Sequence, residues 1–304
     1  MPESITIETL DLHFQGLPNA IASFLVSGPN GKVLIETGPE TCRETLLSRL
    51  ADRGISPKDL DAVFVTHIHL DHAGSAGWFA AEGVPLYVHK KGARHLIEPS
   101  RLVESARMVY GDRFDSLWGE MTPAPRDQVF AIGDNAEVEL GGMTIKAIET
   151  PGHAFHHHAY AVGDAIFAGD SSGARVDESG YLSLTSAPPQ FHLEHTLASI
   201  DRLEQLGKDQ LFLTHFGEVP DPKQHWADYR EVVELNVEFV RQRLKEGMDD
   251  ESLRIAYQAF QMEQAFRCQT ARETWDTLQE INGTGMCADG IRMYWQRKWD
   301  QNRS

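Results

Sequence analysis

The stretch that decides the fold reads Val63-Phe64-Val65-Thr66-His67-Ile68-His69-Leu70-Asp71-His72-Ala73-Gly74. Its first four residues, Val63 to Thr66, are β-branched or aromatic, and they predict a short buried strand. The run Trp78-Phe79-Ala80-Ala81 that follows Gly77 predicts the start of a helix. The three histidines and the aspartate therefore lie on a strand-to-helix turn, where side chains can converge on one point.

The spacing of these four residues indicates metal binding. His67 and His69 are two positions apart and can point the same way from an extended segment. Asp71 and His72 lie beyond the turn and can face a second point nearby. Neutral imidazoles and carboxylates are the usual ligands of zinc and other first-row divalent metals. The pattern predicts two adjacent metals, one held by His67 and His69 and the other by Asp71 and His72.

The His-x-His-x-Asp-His pattern resembles that of the metallo-β-lactamase-fold hydrolase superfamily. This resemblance implies three further ligands, and each is present after a strand-like run. His153 follows Thr150-Pro151-Gly152, Asp170 ends Phe167-Ala168-Gly169-Asp170, and His215 follows Leu213-Thr214. In the family, the aspartate at the position of Asp170 bridges both metals. The ligand set implied by the resemblance is His67, His69, Asp71, His72, His153, Asp170 and His215.

The hairpin before this motif also resembles the family. Residues 20–27 and 32–38 read as two strands joined by the turn Gly28-Pro29-Asn30-Gly31. The family usually ends the second strand with Asp-Thr-Gly, whereas this chain has Glu36-Thr37-Gly38. The resemblance implies that Glu36 supports the metal ligands through its longer side chain. A plain strand-end acid is the alternative.

The expected fold is an α/β, four-layer αββα metallo-β-lactamase sandwich with a helical C-terminal extension. Strands and helices alternate in the first half, as in a layered α/β fold. We predict a catalytic domain over residues 1–220, with a helical insertion at 91–126 near the active site. After His215 the pattern becomes helical, with a long helix over 223–247 and further helices at about 250–264 and 270–281. We predict that residues 221–304 form a helical extension packed on the catalytic domain.

The composition limits which binding partners and which cellular compartment we expect. The 304 residues carry a formal net charge of −17, which disfavours binding to nucleic acid phosphates. The three cysteines have no framework spacing and fit reduced thiols. The acidic, alternating N-terminus lacks signal-peptide character, and apolar runs are too short for a membrane span. We expect a cytoplasmic protein with a small-molecule substrate, no nucleic acid or membrane partner, and possible homodimerisation through the aromatic C-terminal helices.

Four further residues are candidates for substrate contact. Tyr110 lies in the insertion, where packing in the core is the alternative. His157, together with His156, resembles a His pair found in one subgroup of the superfamily, with a solvent-facing role as the alternative. Arg175 could bind a substrate carboxylate or anchor its own loop. Tyr181 lies about where some lactonases of the superfamily hold a tyrosine against the substrate carbonyl oxygen.

The resemblance implies a binuclear, metal-dependent hydrolase of the glyoxalase II-like and lactonase-like branch, in a little-characterised prokaryotic subgroup. Two divalent ions, expected to be Zn²⁺ with Fe or Mn as alternatives, would hold a bridging hydroxide as the nucleophile. Asp71 is the candidate to orient this hydroxide and pass its proton to the leaving group. We expect an ester, thioester or lactone of a small metabolite as the substrate. A mononuclear iron persulfide dioxygenase and a phosphodiesterase are the alternatives.

Overall fold

The structure is a computed structural model and describes residues 5–301. Its backbone forms two compact units. Of the described residues, the first unit contains 5–149, 156–169 and 210–218. The second unit contains residues 150–155, 170–209 and 219–301. The division into residues 1–220 and 221–304 remains a prediction.

The first unit contains two six-stranded sheets. The first sheet has its strands in chain order; β1 to β3 run antiparallel, and β3 to β6 run parallel. The strands of this sheet are β1 Thr6–Asp11, β2 Ala22–Ser27, β3 Lys32–Ile35, β4 Ala62–Phe64, β5 Leu86–His89 and β6 Val129–Ile132. The parallel part alternates with helices, which confirms the α/β class.

The second sheet has the order β12-β11-β10-β9-β8-β7. Its neighbours are antiparallel except for the parallel pair β10 and β11. The strands of this sheet are β7 Glu137–Leu140, β8 Met143–Glu149, β9 His158–Val162, β10 Ala165–Phe167, β11 Gln210–Leu213 and β12 Gly217–Glu218. The long connection between β10 and β11 contributes residues 170–209 to the second unit.

The core of the first unit lies between the two sheets. Phe24 of β2 packs against Phe167 of β10, with ring centroids 5.2 Å apart. The Tyr160 hydroxyl of β9 donates to the carbonyl oxygen of Val65, 3.0 Å away. Burying each such large side chain contributes ~1.5–3 kcal/mol. This sandwich holds the end of β4, and with it the first residues of the histidine motif, in a fixed position.

Short helices complete the first unit. The motif follows β4 through an extended segment into α2, Leu70–Ala73, so Asp71 and His72 lie in this single-turn helix. The helices of this unit are α1 Arg43–Ala51, α2 Leu70–Ala73, α3 Ala76–Ala81, α4 Ala93–Ile97, α5 Ser100–Tyr110 and α6 Phe114–Leu117. Helices α4 to α6 lie within residues 91–126, the region for which the sequence predicts a helical insertion.

The second unit is dominated by helices, so the expected helical C-terminal region is present. Its helices are α7 Leu193–Glu204, α8 Pro222–Lys245, α9 Asp250–Arg267, α10 Arg272–Ile281 and α11 Thr284–Gln301. Asp221 caps α8 by accepting from the backbone N–H of Gln224, and Asp249 caps α9 in the same way. Among residues 5–301, no helix combines the length and the apolar character needed to cross a bilayer.

Candidate metal centre

Three predicted ligands converge in the first unit. Asp71, His72 and His215 offer ligand atoms that all lie within 4.8 Å of one another. Asp71 Oδ2 lies 3.3 Å from His215 Nε2 and 3.5 Å from His72 Nε2. Burial alone would raise the pKa of Asp71, but the two imidazoles in their protonated form outweigh it and hold this pKa well below its usual range. One carboxylate and two imidazoles form a donor set suited to a divalent metal.

Hydrogen bonds set the proton positions of both imidazoles. His215 Nδ1 lies 2.9 Å from the carbonyl oxygen of Ala20, which can only accept. His72 Nδ1 lies 3.3 Å from Oε1 of the fully buried Glu36. In each neutral ring Nδ1 therefore carries the proton, and Nε2 is the nitrogen with ligand character. Supporting bonds of this kind orient histidine ligands in metal sites, so Glu36 has the contact that the resemblance implies for it.

The other two motif histidines are also neighbours in the first unit. The rings of His67 and His69 have centroids 4.4 Å apart. His67 is fully buried, and its Nδ1 lies 3.0 Å from the Thr66 hydroxyl. The buried His157 ring lies beside His67, with the two centroids 4.9 Å apart. His157 therefore packs directly against a predicted ligand.

The second unit holds the remaining two predicted ligands. His153 Nε2 lies 3.3 Å from Asp170 Oδ2, and both side chains are buried. His153 Nδ1 lies 3.0 Å from the carbonyl oxygen of Thr185, so this ring carries its proton on Nδ1 as well. The Thr185 hydroxyl donates to the carbonyl oxygen of Asp170 at 2.6 Å. One imidazole and one carboxylate are again presented side by side, as metal binding requires.

The candidate substrate residues have the following contacts within their own units. Tyr110 packs edge-on against Trp118, with centroids 5.1 Å apart, and the buried Trp118 stacks on Phe14. Arg175 is partly buried, and its Nε lies 3.4 Å from the carbonyl oxygen of Asp177. The assignment of these residues to substrate binding remains a prediction.

Tyr181 is buried in the second unit. Its hydroxyl donates to Oε1 of Gln261 at 2.8 Å. Burial raises the pKa of this phenol far above its usual value. The bond to Gln261 accounts for the hydroxyl without a substrate, although substrate contact by Tyr181 stays a prediction.

A third group of potential ligands lies in the first unit. His89, Glu149 and His158 also bring ligand atoms within 4.8 Å of one another. However, the backbone N–H of Lys91 donates to His89 Nδ1 at 3.0 Å, and burial lowers the pKa of His89. The neutral ring must therefore carry its proton on Nε2, which lies 3.1 Å from Glu149 Oε1. A protonated nitrogen cannot bind a metal, so we assign His89 a structural role.

Fold and site together define a two-sheet α/β protein with histidine and aspartate groups suited to binding metal ions. Residues 16–215 match the model of the metallo-beta-lactamase superfamily. The chain therefore belongs to the metallo-β-lactamase superfamily, and this membership supports a metal-dependent hydrolase in general.

Two curated proteins illustrate the relationship. A metallo-beta-lactamase fold-containing protein of the archaeon Sulfurisphaera tokodaii is 27% identical over 230 residues, which cover 73% of this chain and 84% of that protein. A hydroxyacylglutathione hydrolase of Aeromonas hydrophila is 28% identical over 192 residues, which cover 62% of this chain and 58% of the enzyme.

Solved structures agree on the fold. An archaeal metallo-beta-lactamase superfamily protein from Sulfolobus tokodaii superposes with a TM-score of 0.68 at 22% identity, covering 95% of this chain and 99% of its own. A metallo-beta-lactamase family protein from Thermus thermophilus has a TM-score of 0.67 at 19% identity, with 96% and 94% coverage. Each covers nearly the whole of this chain.

Proposed function

We propose that this protein is a binuclear metal-dependent hydrolase that acts on an ester, thioester or lactone of a small metabolite. The observation that carries the proposal is the Asp71, His72 and His215 group, in which both imidazoles have Nδ1 protonated and Nε2 available as a ligand atom. In the proposal these residues hold one ion, and His67, His69 and His153 hold the other. Asp170 is assigned to both ions, as the family motif implies.

The proposed chemistry needs only side chains that the motif provides. Two bound divalent ions would acidify a water molecule and polarise the oxygen that is attacked. Asp71 is the proposed catalytic residue, which orients the attacking water and carries its proton to the leaving group. The metals are proposed to be Zn²⁺, with Fe or Mn as alternatives.

Two facts support a small-metabolite substrate. One relative is a hydroxyacylglutathione hydrolase, and hydroxyacylglutathione is a thioester. The net charge of −17 repels nucleic acid, which weighs against a nucleic acid phosphodiester as the substrate. Cytoplasmic localisation and homodimerisation are part of the same proposal.

The direct test is the metal content of protein purified without added metal, followed by turnover of a panel of thioesters, lactones and phosphodiesters. We expect close to two metals per chain and hydrolysis of a thioester or lactone. A single iron, with oxygen consumption in the presence of glutathione persulfide, would establish the dioxygenase alternative instead. Turnover confined to phosphodiesters would establish the phosphodiesterase.

The variant Asp71→Ala tests the catalytic assignment. We expect hydrolysis to fall by ~10²–10⁴-fold, the usual contribution of a positioned acid–base group. Asp228→Ala is the matched control, because it removes a carboxylate from an exposed face of α8. Unchanged turnover by metal-replete Asp71→Ala would remove Asp71 from the mechanism.

A further inference from the structure

Thr185 contacts both predicted ligands of the second unit. Its backbone carbonyl oxygen accepts from His153 Nδ1 at 3.0 Å. Its hydroxyl donates to the backbone carbonyl oxygen of Asp170 at 2.6 Å. A single buried residue is therefore hydrogen-bonded to two segments of the chain that each carry a ligand.

The two hydrogen bonds of Thr185 have different effects. The bond from His153 fixes the tautomer and the rotation of that ring, since only the Nδ1–H form can donate to a carbonyl. The bond to Asp170 holds the backbone of the short turn Gly169–Ser172. It therefore fixes the position of the Cα from which the Asp170 side chain extends. The side-chain atoms of His153 and Asp170 that would face a metal are 3.3 Å apart as a result.

Helix α8 holds the same turn from another direction. The buried His225 lies in its first turns, and Nε2 of this ring lies 3.0 Å from the carbonyl oxygen of Ser172. One turn further on, the Tyr229 hydroxyl lies 3.5 Å from the Thr185 hydroxyl. The Tyr229 ring packs so closely on Gly173 that a Cβ there would lie 2.4 Å from Tyr229 Cε2. The segment after Asp170 therefore has little room to shift.

The segment that carries Thr185 is held in turn by the last helices. Asn282 Nδ2 donates to the Ser183 hydroxyl at 2.8 Å and to the Leu184 carbonyl oxygen at 3.0 Å. Cys287 Sγ lies 3.2 Å from the same carbonyl oxygen. Side chains from the C-terminal region thus fix the backbone on the N-terminal side of Thr185.

We propose that Thr185 is a positioning residue for the metal centre, which aligns His153 and Asp170, and that the C-terminal helices serve to hold it in place. This inference rests on the proposed metal-dependent function. It gives the helical extension a part in metal binding, rather than in substrate contact or subunit association alone.

The test compares two variants. Thr185→Val keeps the shape of the side chain and the backbone carbonyl but removes the hydroxyl, whereas Thr185→Ser retains the hydroxyl. Thr277→Val is the matched control, because Thr277 is a buried threonine of α10 whose hydroxyl donates within its own helix. Each metal-free protein is titrated with Co²⁺ and with Zn²⁺ against a chelator, and its thermal unfolding is recorded. Because Asp170 is assigned to both ions, we expect Thr185→Val to bind its metals ~10–100-fold more weakly, the usual effect of losing a supporting hydrogen bond.

The other variants decide what this result means. Thr185→Ser and Thr277→Val should bind both metals within about threefold of wild type, a difference too small to count as loss of a supporting contact. Wild-type affinity in Thr185→Val would overturn the inference. So would failure of Thr185→Val and of the less demanding Thr185→Ala to fold without metal, since Thr185 would then serve folding instead. A wild-type protein that binds no metal would contradict the proposed function itself, which keeps the two failures distinct.

Discussion

Glu36 Oε1 lies 3.3 Å from His72 Nδ1, and both side chains are fully buried. The same oxygen lies 3.4 Å from the backbone nitrogen of Thr66, immediately before the first motif histidine. Glu36 itself has a φ of +66°, in the left-handed region that costs a non-glycine residue about 1 kcal/mol or more. A buried acid on a strained backbone is costly by itself, and its contacts with the motif explain why it can be tolerated.

Replacing Glu36 should therefore weaken metal binding. We expect Glu36→Ala to lower metal affinity at the Asp71, His72 and His215 group by ~10–100-fold, because His72 loses the acceptor that fixes its tautomer. Glu36→Gln retains an acceptor oxygen and should bind more tightly than Glu36→Ala. Chelator competition measures both values. The exposed Glu44 of α1 supplies the control Glu44→Ala, and equal affinity of Glu36→Ala and this control would contradict the prediction.

Removal of His215 should affect one metal more than the other. His215→Ala deletes one of the three ligands in its group but leaves His67, His69, His153 and Asp170 unchanged. We expect elemental analysis to show a decrease from about two metals per chain towards one. His195→Ala, which removes an exposed histidine of α7, should retain both metals. Loss of both metals in His215→Ala would show that the two sites cannot fill independently.

His225 should make stability depend on pH. Burial lowers the pKa of His225 from 6.5 to about 4; Arg175 adds to this effect, while the Ser172 carbonyl and Asp228 oppose it. The unfolded chain binds the proton more readily than the folded protein does. The free energy of unfolding therefore keeps its full value above pH 6.5 and decreases as the pH falls from 6.5 towards 4. The difference amounts to about 3 kcal/mol.

The measurement for His225 is the free energy of unfolding of metal-free protein between pH 4.5 and 7. Wild type should lose more stability over this range than His225→Gln, which cannot take up a proton. His195→Gln is the control, and its slope should match that of wild type. Parallel pH dependences for wild type and His225→Gln would show that His225 is not titrating in this window.

Tyr160 should contribute to the stability of the sandwich through its hydroxyl. Tyr160→Phe leaves the Val65 carbonyl oxygen without this donor in a buried position, which costs ~1–3 kcal/mol. Chemical denaturation of the metal-free protein measures the change. The partly exposed Tyr87 provides the control Tyr87→Phe, for which we expect a smaller effect. A cost no greater than that of the control would argue that Val65 finds another donor.

The sequence predicts strands β2 to β4 and helices α8 to α10, because their residue patterns are strong. Helix α11 is the main element that it does not reveal, since Gly283, Gly285 and Gly290 give the region a poor helix propensity. The structure shows why Gly290 is there: a Cβ at this position would lie 1.7 Å from the carbonyl oxygen of Ser186. Tertiary packing, which leaves no periodic signature, explains this helix.

The residues of the candidate site also fall into those that the sequence reveals and those that it does not. The spacing of the motif and the family resemblance identify its histidines and aspartates, and the resemblance also suggests Glu36. Ala20 and Thr185 could not be found from sequence, because each accepts from a predicted ligand histidine through its backbone carbonyl. Every residue type has that carbonyl group, so no pattern of side chains marks such a contact.

The bond between His215 and Ala20 joins residues 195 positions apart in the chain. Such a contact closes late, because the entropy of a long loop must be overcome first. During synthesis, a ribosome-bound chain would display the histidines of residues 67–72 long before His215 has been added. Metal captured at that stage would meet an incomplete set of the proposed ligands. If the proposed site binds metal, its stable loading would therefore follow completion of the second sheet.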